Sequence, residues 1–239
     1  MDSAQQSEPN GKKEHVRQMF NNIAHRYDFL NHFLSVGIDR CWRRKLIRNM
    51  GQYNPSDILD VATGTADLAI AAAKLNPQKI LGIDIAEEML AIGQIKVDRL
   101  QLQKMIQLRQ ADSENLPFQD NCFDAVMVAF GVRNFENIDK GLAQMYRVLR
   151  QGGRVYILEF SKPLKFPVKQ LYGMYFNHIL PVLGRIVSKD MSAYTYLPES
   201  VGTFPDGPEF LALMELAGFR LVECKQLTFG VASLYYGQK

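Results

Sequence analysis

Ile58-Leu59-Asp60-Val61-Ala62-Thr63-Gly64-Thr65-Ala66-Asp67-Leu68 reads as a buried strand, a turn of small residues and the start of a helix. Ile58, Leu59 and Val61 suit a parallel strand, and the run from Leu68 (LAIAAAKL) is rich in strong helix formers. A strand feeding such a turn at a helix N-terminus is where open α/β sheets hold nucleotide-type ligands. Gly64 is the turn's only glycine, so the three-glycine dinucleotide fingerprint is absent.

The same rhythm continues toward the C-terminus. Apolar runs predict strands at 57–62, 79–85, 105–111, 123–129 and 154–160, separated by helices at 66–75, 87–103 and 137–150. Gly152-Gly153 is expected to stop the last of these helices. A helix at 207–217 and two closely spaced strands, 219–225 and 230–237, suggest an antiparallel closing pair. The expected fold is therefore α/β and Rossmann-like, a seven-stranded mostly parallel sheet with helices on both faces.

Two regions break the pattern. Residues 1–14 are polar and read as a disordered tail, after which Val16, Met19, Phe20 and Ile23 mark an amphipathic face opening an N-terminal helical cap over 15–50. Within the cap, Arg40, Arg43, Arg44, Lys45 and Arg48 surround Trp42 and Leu46; a solvated helix face and a basic segment meeting an anionic surface both fit. Residues 161–205 are aromatic and basic, and an insertion of that length between sheet elements reads as a substrate lid. Residues 15–239 then form a single domain.

Composition narrows the function. Of 239 residues 47% are hydrophobic and 22% charged, and the net charge of +3 is too small to argue for nucleic acid. Cys41, Cys122 and Cys224 are far apart and form no metal or disulfide pattern, which favours a reducing, cytoplasmic setting. No apolar run reaches the ~18 residues of a membrane span, so any membrane contact is expected to be peripheral.

Asp84 lies 20 residues beyond Gly64, at the end of the second strand, where an acid can accept both hydroxyls of a ribose bound over the first turn. NAD and S-adenosylmethionine share that geometry. A pyrophosphate needs several close backbone approaches, whereas the amino-acid tail of S-adenosylmethionine favours polar turns, and Asp60, Thr63, Thr65 and Asp67 provide such groups. After the third strand, Asp112 and its neighbours in ADSENLPF stand where an adenine would lie. Three strand ends in order favour S-adenosylmethionine and leave an NAD-dependent oxidoreductase as the rival.

The series DVATGTADLA, GIDIAEEML, ADSENLPF, FDAV and VLRQGGRVYILEFSKP resembles the class I S-adenosylmethionine-dependent methyltransferases. YDFLNHFLSVGIDRCWRR, AFGVRNF and AYTYLPESV are similar to the menaquinone and ubiquinone C-methyltransferases. Asp39 departs from the His that the family commonly has there. The resemblance implies cofactor roles for Thr65, Asp84, Asp112 and Ser113, with Gly64 as the point of close approach. It also implies ring C-methylation of a prenylated quinol, demethylmenaquinol ahead of a benzoquinol; a small polyphenol or sterol acceptor, or a non-catalytic subunit, are the remaining alternatives.

Such chemistry needs a base, a cation for the phenolate, or both. Arg133, just after the fourth strand, stands at the sheet's carboxyl edge, where it can bind that oxygen or merely pair with a pocket acid. Tyr27 and Asp28 can orient water or substrate from the N-terminal side, or serve only as a packing tyrosine and a helix cap. His25, His32 and His178 fall outside the strand-end turns, and no residue set has metal spacing. Phe166, Tyr172, Met174, Tyr175, Phe176, Ile179 and Leu180 are expected to line an isoprenoid channel, with the neighbouring lysines resting on lipid. Whether a second copy of the chain joins it as a homodimer is left open.

Overall fold

Apolar runs separated by helices become a single sheet in the computed structural model, which describes residues 11–34, 37–175 and 192–239. The strands are β1 (Asp57–Val61), β2 (Lys79–Asp84), β3 (Ile106–Gln110), β4 (Phe123–Ala129), β5 (Leu149–Phe160), β6 (Arg220–Leu227) and β7 (Ala232–Gln238). Their order is β3-β2-β1-β4-β5-β7-β6. The first five pair in parallel, and β7 enters antiparallel between β5 and β6. The order reverses at β1, so β1 and β4 diverge at their carboxyl ends and open a crevice there.

Alternation along each strand divides the core between two layers. Ile58, Ile80, Met127 and Leu158 pack with Trp42, Leu46 and Leu68, from α2 (Ile38–Met50) and α3 (Asp67–Ala72). Leu59, Leu81, Val126 and Ile157 face the other way, onto Leu142 and Met145 of α5 (Ile138–Val148) and Phe210 of α8 (Pro208–Leu216). Between β2 and β3 runs α4 (Glu87–Arg99).

The structure departs from the sequence reading at the start of the cap, at Gly152-Gly153 and within the basic run of α2, besides shifts of a few residues at other element ends. Helix α1 spans Lys12–Leu34, so residues 12–14, assigned to the tail, are already helical and anchored to the domain by lysine contacts. Gly152-Gly153 does not stop α5, which ends at Val148; the glycines lie inside β5, with Gly152 at φ +78°. A Cβ at Gly153 would sit 2.8 Å from the Arg150 carbonyl and 3.0 Å from that of Asp124, so the glycine admits an irregularity in the β4–β5 pairing. Within the basic run of α2, Arg40, Arg44, Lys45 and Arg48 are exposed as a solvated face predicts, but Arg43 turns inward to a buried ion pair with Asp39.

The insertion contributes α6 (Val168–Met174) and α7 (Ser192–Thr203). Phe176, His178, Ile179, Leu180, Arg185 and Lys189 lie outside the described residues.

Candidate active site

The turn after β1 is built by short-range bonds. Asp60, 1% exposed, accepts the Thr63 hydroxyl at 2.6 Å, and Thr63 N donates to Ile83 O at 2.8 Å. Ala62, Gly64 and Ala66 all adopt left-handed backbone, which is strained for the two alanines and clusters at functional turns. A Cβ built on Gly64 would meet only Tyr27 Cε1, at 3.8 Å, so the backbone is open to a ligand. Asp84 holds the turn from β2: its two oxygens accept Gly64 N at 2.8 Å and Ala86 N at 2.9 Å. Burial raises the Asp84 carboxyl, opposed by those N–H groups.

The cavity at the carboxyl edge is lined by Gly64, Asp84, Asp112, Ser113, Tyr27 and Asn134, among others. Asp60, Thr63 and Thr65 stand behind the turn instead. Thr65 accepts Lys96 Nζ at 3.0 Å, and that lysine pairs with Asp67 at 2.7 Å, fastening the turn to α4. Burial lifts the Asp60 carboxyl to about 7, against the lowering pull of Thr63, Ala69 N and Arg43, and its Oδ1 has no partner among the described residues.

Helix α1 forms one wall of the cavity through Lys13, Val16, Phe20 and Tyr27 and is tied down at both sides of it. Lys13 pairs with Asp112 at 2.8 Å, Lys12 donates to Phe135 O at 2.6 Å, and Arg17 pairs with Glu87 at 2.8 Å. Phe20 and Tyr27, edge to face at 5.7 Å, pack with Ala86 and Met89 at the start of α4. The side chain of Asp28 lies outside the described residues.

Beyond β4, Phe130 at φ +61° leads into a 3-10 turn, Val132–Asn134. Arg133, 9% exposed, does not line the cavity. Its guanidinium donates to the Phe130 carbonyl and pairs with fully buried Glu159 at 2.8 Å, over the ring of Phe160 at 5.4 Å. Arg133 Nε and Asn134 Oδ1 have no hydrogen-bond partner among the described residues. Two residues that the sequence reading missed therefore belong here. Glu159 had a signal, as the one acid in the apolar strand RVYILEF; Asn134 had none apart from its place beside Arg133.

The model of the ubiE/COQ5 methyltransferase family matches residues 8–239. The chain belongs to that family. It is 48% identical over 229 residues to a demethylmenaquinone methyltransferase of Bacteroides fragilis, covering 95% of this chain and 94% of that one. It is 46% identical to the ubiquinone/menaquinone biosynthesis C-methyltransferase UbiE of Geotalea daltonii, covering 95% and 97%. A SAM-dependent methyltransferase structure from Aquifex aeolicus shares the fold, with a TM-score of 0.55 at 20% identity over 76% of this chain and 81% of that one. The protein is a methyltransferase, with S-adenosylmethionine as donor. The open backbone at Gly64 and the carboxylates of Asp84 and Asp112 suit such a molecule's sugar and base. No helix among the described residues is long and apolar enough to cross a membrane.

Proposed function

We propose that this chain methylates a ring carbon of a prenylated quinol, with demethylmenaquinol as acceptor. The observation that carries the reading is a cavity in which the cofactor residues of three strand ends meet Asn134 and an aromatic wall beside a buried arginine. Asp84 takes the ribose hydroxyls, Asp112 and Ser113 the adenine edge, and Gly64 the close approach. Asp60, Thr63 and Thr65 hold that turn in shape. Bound S-adenosylmethionine supplies an electrophilic methyl on sulfur.

An aromatic C–H is a weak nucleophile until a neighbouring hydroxyl, with a pKa of roughly 10, gives up its proton. Asn134, which lines the cavity, orients that hydroxyl by accepting its hydrogen bond at Oδ1, and the proton passes on to a water molecule. The Arg133–Glu159 pair behind the wall holds the turn that carries Asn134 and lends the field of its cation without touching the substrate. The ring carbon then takes the methyl as the carbon–sulfur bond breaks, its electron pair staying on sulfur. The ring hydrogen then leaves as a proton to water and the ring oxygen takes a proton back, which restores the aromatic quinol with one proton released overall. Tyr27 and helix α1 keep bulk solvent from the reacting centre.

Incubation with labelled S-adenosylmethionine and each demethylated quinol tests the proposal: label in the naphthoquinol product is expected, and label in neither quinol refutes it. A benzoquinol acceptor is the second reading, favoured by the name of the Geotalea relative. Leu164 and Phe166 just before α6 and Leu171 and Met174 within it are exposed, so that Phe166 and Met174 face outward instead of lining a channel; with Lys165 and Lys169 among them, they form the contact with anionic lipid from which the quinol is drawn. Cosedimentation with anionic vesicles, lost on Phe166→Asp, checks that contact; equal recovery of both proteins overturns it.

A further inference from the structure

We propose that Tyr196 contacts the substrate, its hydroxyl donating a hydrogen bond to the quinol ring oxygen farther from the reacting carbon, while the nearer oxygen faces the Arg133–Asn134 turn. The inference rests on the quinol reading above and adds a residue to it. Tyr196 lies in AYTYLPESV, within the insertion read as a substrate lid. It sits on α7, which packs against both α1 and the 3-10 turn Val132–Asn134. The base of α7 is tied to the end of β5, where Lys162 Nζ donates to Phe204 O at 3.1 Å and to Gly202 O at 3.3 Å. His15 of α1 flanks the Tyr196 ring at 6.5 Å between centroids.

The Tyr196 hydroxyl is buried and has no hydrogen-bond partner among the described residues. Native proteins rarely leave such a group alone, and each case calls for an explanation. Two further buried atoms on the adjoining turn are in the same state, Arg133 Nε and Asn134 Oδ1. Donors and an acceptor therefore lie unmatched on neighbouring elements beside the cofactor cavity. A ring bearing two oxygens offers complementary partners. Burial raises the tyrosine's pKa, and the fields of Arg133 and Glu159 both reach it, so the hydroxyl remains a proton donor at neutral pH.

The experiment compares the full chain with Tyr196→Phe, using S-adenosylmethionine and a short-prenyl demethylmenaquinol. A second acceptor is the analogue in which the ring oxygen farther from the reacting carbon is replaced by hydrogen. For the quinol, kcat/KM is expected to fall about 10- to 100-fold in the variant, with S-adenosylmethionine affinity within about twofold of wild type. Wild type should prefer the quinol over the analogue, and the variant should lose most of that preference. A purely structural tyrosine would lower the unfolding midpoint instead and leave the preference intact. Quinol turnover within twofold of wild type, or an unchanged preference, overturns the inference. Should the variant fail to bind S-adenosylmethionine, the wild-type comparison decides alone, and equal kcat/KM for quinol and analogue refutes the contact. Absence of turnover by wild type with either acceptor would instead refute the functional reading.

Discussion

Two arginines stand at opposite ends of the sheet in opposite circumstances. At the amino edge, Arg150 is 40% exposed and bridges Asp57 at 2.9 Å and Asp124 at 2.6 Å. Asp124 also accepts the N–H groups of Ser56 and Asp57, so both it and the arginine are matched and open to water. At the carboxyl edge, Arg133 is buried with Glu159, and its Nε and the neighbouring Asn134 Oδ1 have no hydrogen-bond partner among the described residues. The first arrangement joins strands at little cost. The second places a cation in a low-dielectric setting next to groups that still lack partners, which is useful where charge develops during a reaction.

The contrast can be broken most directly at Glu159. Glu159→Ala leaves Arg133 buried without its counter-ion and should lower stability by about 3–5 kcal/mol in denaturant unfolding, with loss of methyl transfer. A shift below about 1 kcal/mol would mean that Arg133 reaches water and that the two ends do not differ as described. In the proposed cofactor site, Asp84→Asn removes the charge that faces the ribose while keeping one acceptor, and should weaken S-adenosylmethionine binding about 10- to 100-fold by calorimetry. Unchanged affinity would place the cofactor elsewhere on the edge.

A pH series sharpens the same point. The native Asp60 carboxyl keeps its proton up to about 7, whereas in the unfolded chain it is released at about pH 4. The folded state thus holds the extra proton across that window, so this group's contribution makes stability fall as pH rises through it, by up to ~1.4 kcal/mol per unit. Asp60→Asn should flatten the slope; an equally steep slope in that variant assigns it to another group. The smallest effect belongs to the exposed arginine: Arg150→Ala is expected to cost less than about 1 kcal/mol and to spare turnover.

How far the sequence carried varies by element. β4 appears at 123–129 as read, because a strand buried on both faces is one apolar run bounded by polar residues. Asp84 was legible because the distance from a turn to the next strand end is a chain length that a βαβ unit constrains. Gly152-Gly153 misled because a helix stop and a strand irregularity use the same conformational freedom, and only the neighbouring strand shows which applies. The expectation that Arg133 reaches the cavity gave way to the alternative that it pairs with an acid, since its partner is 26 residues away on the next strand. Asp39 is likewise explained only by the buried guanidinium of Arg43.

By itself, then, the sequence determined the sheet, the strand–turn–helix at Ile58–Leu68 and the position of Asp84 and Asp112 at the ends of two strands, all of which follow from periodicity and short loop lengths. The tertiary structure decided which residues face the cavity and which stand behind it, that α1 supplies one of its walls, and that Arg133 after β4 pairs with Glu159 of β5. Those are contacts between distant segments. A chain's local propensities do not specify them; burial of charge and the matching of polar groups across the folded core do.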